Sequence, residues 1–430
     1  MKRGFYTIMS AQFFSSLADN ALFVTAVELL RTQGGPEWQR AALVPMFALF
    51  YVILAPFVGA FADALPKGRV MLISNAIKIV GCLMMLLGGH PLLAYAVAGL
   101  GAAAYSPAKY GILTELLPAS QLVKANGWVE GLTITSIILG VVVGGLLLRP
   151  DVSSWVLDSL PWSYIGVHSA AEVAITILVL IYALAAWFNL HIPLTGVAMR
   201  PLRQDPGRSL ASNILSLLPD FWVCSQRLWA DKLGQISLST TTLFWGASGN
   251  LRYIVLAWGA AALSYDTSQA SSLVGVVAIG TAAGAILASM RMRLDNATRV
   301  IPLGVAMGLL LICMNAVSDV RLAIPLLIVL GGIGGFMVVP MNALLQHRGH
   351  NLMGAGRSIA VQNFNEQACI LALGALYALS TKFGLSAFGA ITVFGLSVAA
   401  IMVCIGLWHR HNCRHHPQEV ARLLSIARGN

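Results

Sequence analysis

Charged side chains are scarce in this chain of 430 residues: Lys, Arg, Asp and Glu together make up 10%, whereas hydrophobic residues make up 57%. This scarcity excludes a soluble protein, because a soluble fold of this size needs a far more polar surface. What the chain has instead is a series of apolar runs of about 20 residues, each long enough to cross the hydrocarbon core of a bilayer. The composition therefore predicts an all-α integral membrane protein.

Paired cysteines and enzyme motifs are also missing. The six cysteines form no CxxC pair, so the sequence predicts no disulfide, no metal site and no cofactor. No histidine is followed four residues on by aspartate, and no polar segment is long enough for a soluble catalytic domain, so we do not expect an enzyme. The apolar run after Lys2 and Arg3 is interrupted by Asp19 and Asn20 and lacks a small-residue cleavage site, which argues against a secretory signal.

Twelve apolar runs are predicted to span the membrane, six in each half of the sequence. They cover residues 5–30, 41–62, 70–88, 91–114, 124–148 and 167–190, then 236–262, 270–290, 299–316, 321–345, 357–380 and 385–408. The chain accordingly divides into an N-terminal six-helix half (1–190), a cytoplasmic linker (191–235), a C-terminal six-helix half (236–409) and a cytoplasmic tail (410–430). Within the linker, apolar residues recur at helical spacing from Leu210 to Leu233, which predicts either a helix lying in the membrane interface or a plain linker helix.

The distribution of basic residues predicts the orientation. If the N-terminus is cytoplasmic, nineteen of the 27 Lys and Arg residues fall in inside segments and five in outside loops, while Lys78, Lys109 and Arg252 lie within spans. Basic loops stay on the cytoplasmic side, so both termini are expected there. The same asymmetry, together with anionic lipid at the inner face, accounts for the net charge of +10, and nucleic acid is not implied.

The two halves of the sequence resemble each other weakly. Residues 107–130 align without gaps with residues 340–363 at an offset of 233, and Asn20 aligns with Asn250 at an offset of 230. Doubled membrane chains usually have their substrate path where the halves meet, so we expect a transport path there.

A loop between predicted spans two and three has the spacing of a known gating motif. Gly59, Asp63, Lys67 and Arg69 resemble the signature loop of the major facilitator superfamily, although an ordinary charged turn is the alternative. Gly59 permits close helix approach, Asp63 is expected to pair between the halves, and Lys67 and Arg69 are expected at the lipid headgroups. Two GxxxG pairs, in spans five and eight, are expected to bring those spans together across the halves. The predicted gating residues are Gly59, Asp63, Lys67, Arg69, Lys124, Gly140, Gly144, Gly280 and Gly284.

Polar residues inside the spans are costly in lipid and indicate a binding site. Asp19 shares a face of span one with Ser15 and Ser16, and Arg252 lies one helical turn from the position in span seven that matches Asp19. The predicted substrate-binding residues are Asp19, Asn20, Tyr105, Lys109, Arg252, Gln362, Asn363 and Glu366. The alternative for each is a structural ion pair or a snorkelling side chain, and we favour that alternative for Lys78, Glu28 and Glu172.

Five strings carry a more specific resemblance along nearly the whole chain: residues 18–22, 101–113, 122–127, 339–346 and 360–363. They are similar to the bacterial lysophospholipid transporter family of the major facilitator superfamily. The resemblance implies that superfamily's fold, with twelve transmembrane helices, and a flippase of the bacterial inner membrane. Such a flippase moves lysophosphatidylethanolamine and lysophosphatidylglycerol from the outer to the inner leaflet. It also implies a cytoplasmic acyltransferase, acting with acyl carrier protein, as a partner. The loop from Asp151 to Gly166 and the histidine-rich tail depart from the family.

A lysophosphatidylethanolamine headgroup has one phosphate and one ammonium, so we expect a site with charges of both signs. Arg252, with Lys109 as a second cation, is expected to receive the phosphate, and Asp19 the ammonium. We expect the protein to act as a monomer. A proton-coupled exporter of drugs or amphiphiles with the same fold is the alternative, in which Asp19 or Glu366 carries the proton.

Overall fold

The computed structural model describes residues 3–34, 37–149, 151–152, 154–155, 169–201, 207, 209–265 and 267–428. Regular structure in these residues is helical, and no strand occurs among them. Most of the unusual loop from Asp151 to Gly166 lies outside the described residues.

Each predicted span of the N-terminal half coincides with a helix, and one of them is broken. The predicted span 41–62 is two helices that meet at an angle of 69°. The break lies at Leu54, and the second helix has a proline in its first turn, where the missing N–H needs no partner. The helices are α1 (Arg3–Thr32), α2 (Glu37–Ile53), α3 (Ala55–Ala64), α4 (Lys67–Leu86), α5 (Pro91–Leu116), α6 (Ala119–Leu147) and α7 (Ala170–Leu190).

The linker begins with an irregular segment, residues 191–201, and is largely helical from Leu210 onward, as is the C-terminal half. The linker helix expected from Leu210 to Leu233 is present as α8 (Leu210–Leu215) and α9 (Leu217–Ala230). The spans of the second half are α10 (Gly234–Leu263), α11 (Thr267–Arg291), α12 (Ile301–Cys313), α13 (Val320–Met353), α14 (Ala355–Lys382) and α15 (Ala387–His415), and α16 (Pro417–Arg428) follows them. Two 3-10 segments, Leu294–Val300 and Met314–Ala316, extend α12 at its ends, so that this span covers Leu294–Ala316.

Eight helices in the described chain are long and apolar enough to cross a membrane, or nine if α2 and α3 form one span. The helices α5, α10 and α14 do not meet that test, although each contains 26 residues or more. All three carry polar residues that the sequence analysis assigns to the binding site, and polar residues make a helix less apolar.

The chain forms two compact units, and each contains residues of both sequence halves. The first unit comprises residues 1–115, 135–221 and 355–360. The second comprises residues 116–134, 222–354 and 361–430. The beginning of α14 therefore packs with the first half, and the beginning of α6 packs with the second.

Candidate functional site

Asp19 is the centre of a buried polar cluster in the first unit. Its Oδ2 lies 2.8 Å from Nζ of Lys78, and its Oδ1 accepts a hydrogen bond of 2.7 Å from the hydroxyl of Tyr182. The Asp19 side chain is 19% exposed, whereas Lys78 is 1% exposed. A charge inside a membrane protein is tolerated only when it is paired and hydrogen-bonded, and Asp19 meets both conditions.

Lys78 is held by two further groups. Its ammonium donates a hydrogen bond of 2.9 Å to Oγ of Ser15, and Ser15 in turn donates to Oδ1 of Asn75 at 2.7 Å. The ammonium also lies 4.9 Å from the centroid of the Tyr105 ring and 5.6 Å from that of Tyr182, within the range of a cation–π contact. We name Ser15, Asp19, Asn75, Lys78, Tyr105 and Tyr182 the Asp19 cluster.

A glycine lets α4 and α5 approach closely enough to form the Asp19 cluster. A methyl group at Gly101 would lie 2.6 Å from the carbonyl oxygen of Ser74 and 2.7 Å from Cγ of Lys78. Any side chain at this position would therefore displace the aliphatic stem of Lys78. Gly101 is the first residue of the string from Gly101 to Leu113 that carries the family resemblance. The close packing of α4 and α5 explains why this position of the string is glycine.

A second buried polar chain lies in the second unit and links two carboxylates through two amides. Glu366 Oε1 accepts a hydrogen bond of 2.7 Å from Nε2 of Gln362, which also donates to Oδ1 of Asn342 at 3.0 Å. Asn342 Nδ2 lies 3.4 Å from Oε1 of Glu130. All four side chains are buried. An amide that accepts on one side and donates on the other is suited to joining two polar groups inside a membrane.

The remaining predicted substrate residues have separate surroundings. The Nδ2 of Asn20 donates to the carbonyl of Ser16 at 2.8 Å, within α1. The ammonium of Lys109, one turn beyond Tyr105, lies 4.5 Å from the ring centroid of Tyr110. Asn363 is buried in α14. Arg252 belongs to α10, but its side chain lies outside the described part of the structure.

The signature loop contributes to a network of five charges in the first unit. Asp63 accepts hydrogen bonds from the backbone N–H groups of Gly356 and Arg357, at 2.7 and 3.1 Å, and from the Arg357 guanidinium at 3.3 Å. Arg357 also pairs with Asp220 of the linker at 2.8 Å. Lys67 pairs with Asp63 at 3.0 Å and with Glu115 at 3.3 Å. The signs alternate along the network, so every charge has an opposite neighbour.

Asp63 binds the amino-terminal end of α14, where unpaired N–H groups and the helix dipole attract an anion. The turn before α14 depends on Gly354, whose φ of 98° disfavours other residues. A methyl group at Gly356 would lie 2.6 Å from Oδ1 of Asp63, so glycine is needed there as well. Asp63 of the first sequence half thus contacts residues 356 and 357 of the second half.

The expectation that Lys67 lies at the lipid headgroups is wrong. Its side chain is buried and forms ion pairs with the carboxylates of Asp63 and Glu115. These two carboxylates neutralise the charge that would otherwise keep the lysine at the headgroups. Arg69, two residues on, is exposed. Lys124, the remaining basic residue among the predicted gating residues, is also exposed.

The two GxxxG pairs do not join spans five and eight, so that prediction is wrong. In α6, methyl groups at Gly140 and Gly144 would lie 2.8 Å from Cβ of Asn20 and 2.9 Å from the carbonyl of Ala21, both in α1. In α11, Gly280 and Gly284 pack against α13. A methyl group at Gly280 would lie 2.9 Å from Cα of Ile328, and one at Gly284 would lie 2.9 Å from Cα of Gly332. Each pair therefore brings together two helices of the same sequence half.

Helices of different sequence halves approach closely at other small residues. In the first unit, a methyl group at Gly59 would lie 2.7 Å from Cβ of Ala360. In the second unit, a methyl group at Gly127 of α6 would lie 3.0 Å from the carbonyl of Ala285 in α11. Spans five and eight thus do meet, at Gly127.

Several residues of these clusters were not found from the sequence. Lys78, for which the sequence favours a structural ion pair or a snorkelling side chain, does form an ion pair, but its partner Asp19 lies 59 residues away in the chain and could not be named. No sequence signal identifies Tyr182, Glu115 or Asp220, because their roles depend on which helices pack together.

The long apolar helices, with charges paired in their interior, define a multi-pass membrane transporter. The sequence-family model of the Major Facilitator Superfamily matches residues 8–366 of this chain. The chain is 39% identical over 385 residues to "Lysophospholipid transporter LplT" of Yersinia enterocolitica, covering 89% of this chain and 89% of that relative. It is also 39% identical to the protein of the same name from Yersinia pestis (strain Pestoides F), covering 89% of this chain and 88% of that one. The chain therefore belongs to the major facilitator superfamily and, within it, to the lysophospholipid transporter family.

Solved structures show the same fold at low sequence identity. The crystal structure of the human organic anion transporter MFSD10 (TETRAN) has a TM-score of 0.70 at 14% identity, covering 94% of this chain and 100% of that one. The crystal structure of the transporter FucP in the outward conformation has a TM-score of 0.68 at 14% identity, covering 94% and 98%. The predicted major facilitator fold is confirmed.

Proposed function

We propose that this protein is a transporter that moves lysophosphatidylethanolamine and lysophosphatidylglycerol from the outer to the inner leaflet of a bacterial inner membrane. The observation that carries the proposal is the 39% identity to lysophospholipid transporters along 89% of the chain. A cytoplasmic acyltransferase or acyl-ACP synthetase, working with acyl carrier protein, would then restore the diacyl lipid. The protein would act as a monomer.

The chemistry of the polar residues supports such a cargo. A lysophosphatidylethanolamine headgroup needs an anion for its ammonium and a cation for its phosphate. Asp19 supplies the anion, and Arg252 with Lys109 would supply the cations, because a guanidinium offers a fork of donors that matches phosphate. If Arg252→Ala and Asp19→Ala each leave lysolipid uptake unchanged, this assignment is wrong.

The five-charge network supports transport by alternating access. Asp63 is bound to the beginning of α14, a segment that must separate from α3 if a path is to open toward the side predicted to be cytoplasmic. A carboxylate that is paired in one state only shifts the equilibrium between two states. Gly59, Asp63, Lys67 and Arg357 would therefore stabilise the state in which this end is closed.

A proton-coupled exporter is the second candidate, and the burial of Glu366 favours it. Within the described residues Glu366 forms no ion pair, and its bonded partner is the Gln362 amide. A buried carboxylate without a cation is a common proton acceptor. Under this candidate, transport would require a proton gradient.

One experiment separates the two candidates. The protein is reconstituted in proteoliposomes, and uptake of labelled lysolipids is measured with and without a proton gradient, beside a panel of cationic drugs. The proposed function predicts lysolipid uptake down its gradient without protons and no drug transport. Drug transport that depends on the proton gradient, without lysolipid uptake, would contradict it.

A further inference from the structure

Lys78 has the environment of a binding residue, although the sequence favours a structural role for it and the proposed function does not use it. The residue lies in α4, facing α1, α5 and α7, and its ammonium is buried against Asp19, Ser15 and two aromatic rings. Its partner Asp19 is partly exposed, so a ligand can reach the pair from the Asp19 side.

We propose that Lys78 is a further residue of the first unit that binds the lysolipid phosphate, in addition to Lys109, and that it binds lysophosphatidylethanolamine by leaving Asp19. In the empty protein the two side chains neutralise each other. When the headgroup arrives, its ammonium takes the place of Lys78 on the Asp19 carboxylate, and Lys78 pairs with the phosphate. The inference rests on the proposed function, because it names how the lysolipid headgroup is recognised.

The exchange keeps every charge paired. A single buried charge is far more costly than a buried pair, so breaking the Asp19–Lys78 pair without a replacement would be strongly unfavourable. A zwitterionic headgroup supplies both replacements at once. The ligand then brings the differential interaction that a change of state requires. Lysophosphatidylglycerol has no ammonium to replace Lys78, so Lys78 would bind its phosphate while keeping its contact with Asp19.

The surroundings of Lys78 reduce the cost of leaving Asp19. Its ammonium has a second acceptor, the Ser15 hydroxyl at 2.9 Å, and lies near the faces of Tyr105 and Tyr182. The aromatic rings attract a cation in the absence of a carboxylate. The unbranched stem of lysine, lying beside Gly101, can change its rotamers and carry the ammonium toward a phosphate.

The carboxylate stays in position while its cation changes. The Tyr182 hydroxyl donates to Oδ1 of Asp19, and Lys78 uses Oδ2. The exchange therefore affects one oxygen of the carboxylate, and the tyrosine keeps the other oriented. Tyr182 is a positioning residue in this scheme.

The two roles predict different headgroup preferences. Both lysophosphatidylethanolamine and lysophosphatidylglycerol contain a phosphate, but only the former has an ammonium. Lys78→Met should lower uptake of both lipids by about tenfold or more, as expected when a hydrogen bond to a charged group is lost. Asp19→Asn should lower lysophosphatidylethanolamine uptake more than lysophosphatidylglycerol uptake.

The decisive variant removes both charges, because either single change leaves a buried charge unpaired and can impair folding. Uptake of the two lysolipids is measured in proteoliposomes for the double variant Asp19→Asn/Lys78→Met, together with its thermal unfolding in detergent. The double variant Glu28→Gln/Arg31→Met is the matched control, since it removes an exposed ion pair from the same helix α1. The control should transport both lipids as the wild-type protein does.

A double variant that folds like the wild-type protein but takes up neither lipid supports the inference. Wild-type uptake in that variant would overturn it, because the pair would then be purely structural. If the wild-type protein itself takes up no lysolipid, the proposed function fails, and the inference fails with it.

Discussion

Asn126 and Gln346 hold each other by two hydrogen bonds of 2.9 Å, in which each side-chain amide donates to the other and accepts from it. Both side chains are fully buried in the second unit, where α6 of the first sequence half meets α13 of the second. A reciprocal amide pair satisfies two donors and two acceptors without any charge. The contact between these helices therefore differs in kind from the ionic contact between Asp63 and Arg357.

The amide pair gives a prediction for stability. Gln346→Leu should lower the free energy of unfolding by about 1–3 kcal/mol, because it leaves the Asn126 amide buried with part of its hydrogen bonding lost. The double variant Asn126→Leu/Gln346→Leu should recover much of that loss, since both polar groups are then gone. Thermal unfolding of the two single variants and the double variant, read as a double-mutant cycle, measures the coupling. Strictly additive effects would contradict the pairing.

A buried and an exposed ion pair of the second unit should differ in their contributions. Arg348 and Asp231 form two hydrogen bonds, from Nε at 3.1 Å and from Nη2, and both side chains are buried. Arg348→Met removes the cation from Asp231, which keeps hydrogen bonds from the backbone N–H groups of Leu233 and Gly234, so we expect a loss of about 3 kcal/mol in stability. The control is Arg428→Met, which removes an exposed guanidinium from Asp295 and should cost at most about 1 kcal/mol. Equal shifts in melting temperature for the two variants would count against this account.

The helices could be predicted from the sequence, because an apolar run long enough to span a bilayer has few alternatives to a helix. Asp19 could be predicted for a similar reason, since a carboxylate within such a run is costly unless it has a function. Its partner could not. Lys78 reaches Asp19 only because α1 and α4 both pack against α7, and the sequence does not indicate which helices are neighbours.

The glycine patterns show the same limit. The GxxxG spacing in α6 and α11 indicates that some helix approaches closely, which the structure bears out. The pattern does not state which helix approaches, and the expected pairing of spans five and eight at these glycines was wrong. The predicted position of Lys67, at the lipid headgroups, was wrong for a related reason. Its carboxylate partner Glu115 lies at the end of another helix, so the sequence alone placed the lysine in the headgroup region.

The Asp63 contact predicts a change in transport rate. Asp63→Asn keeps one acceptor oxygen but loses the charge and turns an amide donor toward one of the two backbone N–H groups, that of Gly356 or that of Arg357, so the closed end should be less stable. We expect initial lysolipid uptake to fall by about tenfold, with binding of lysolipid retained. Uptake and equilibrium binding of labelled lysolipid measure the two quantities separately. Arg69→Gln, a change at an exposed residue of the same loop, is the control and should have little effect.

The close approach of α11 and α13 predicts opposite effects for two glycines in one helix. A methyl group at Gly284 would clash with the carbonyl oxygen of Gly332 and lie 2.9 Å from its Cα, so backbone must move. Gly284→Ala should therefore destabilise the protein by about 1–3 kcal/mol, as overpacking does. At Gly275, also in α11, a methyl group meets nothing within 4 Å. There Gly275→Ala should be neutral or stabilise by up to about 1 kcal/mol, because alanine favours the helix. Thermal unfolding of the two variants tests the pair, and a Gly284→Ala protein as stable as the wild type would show that α11 and α13 are not in contact at this glycine.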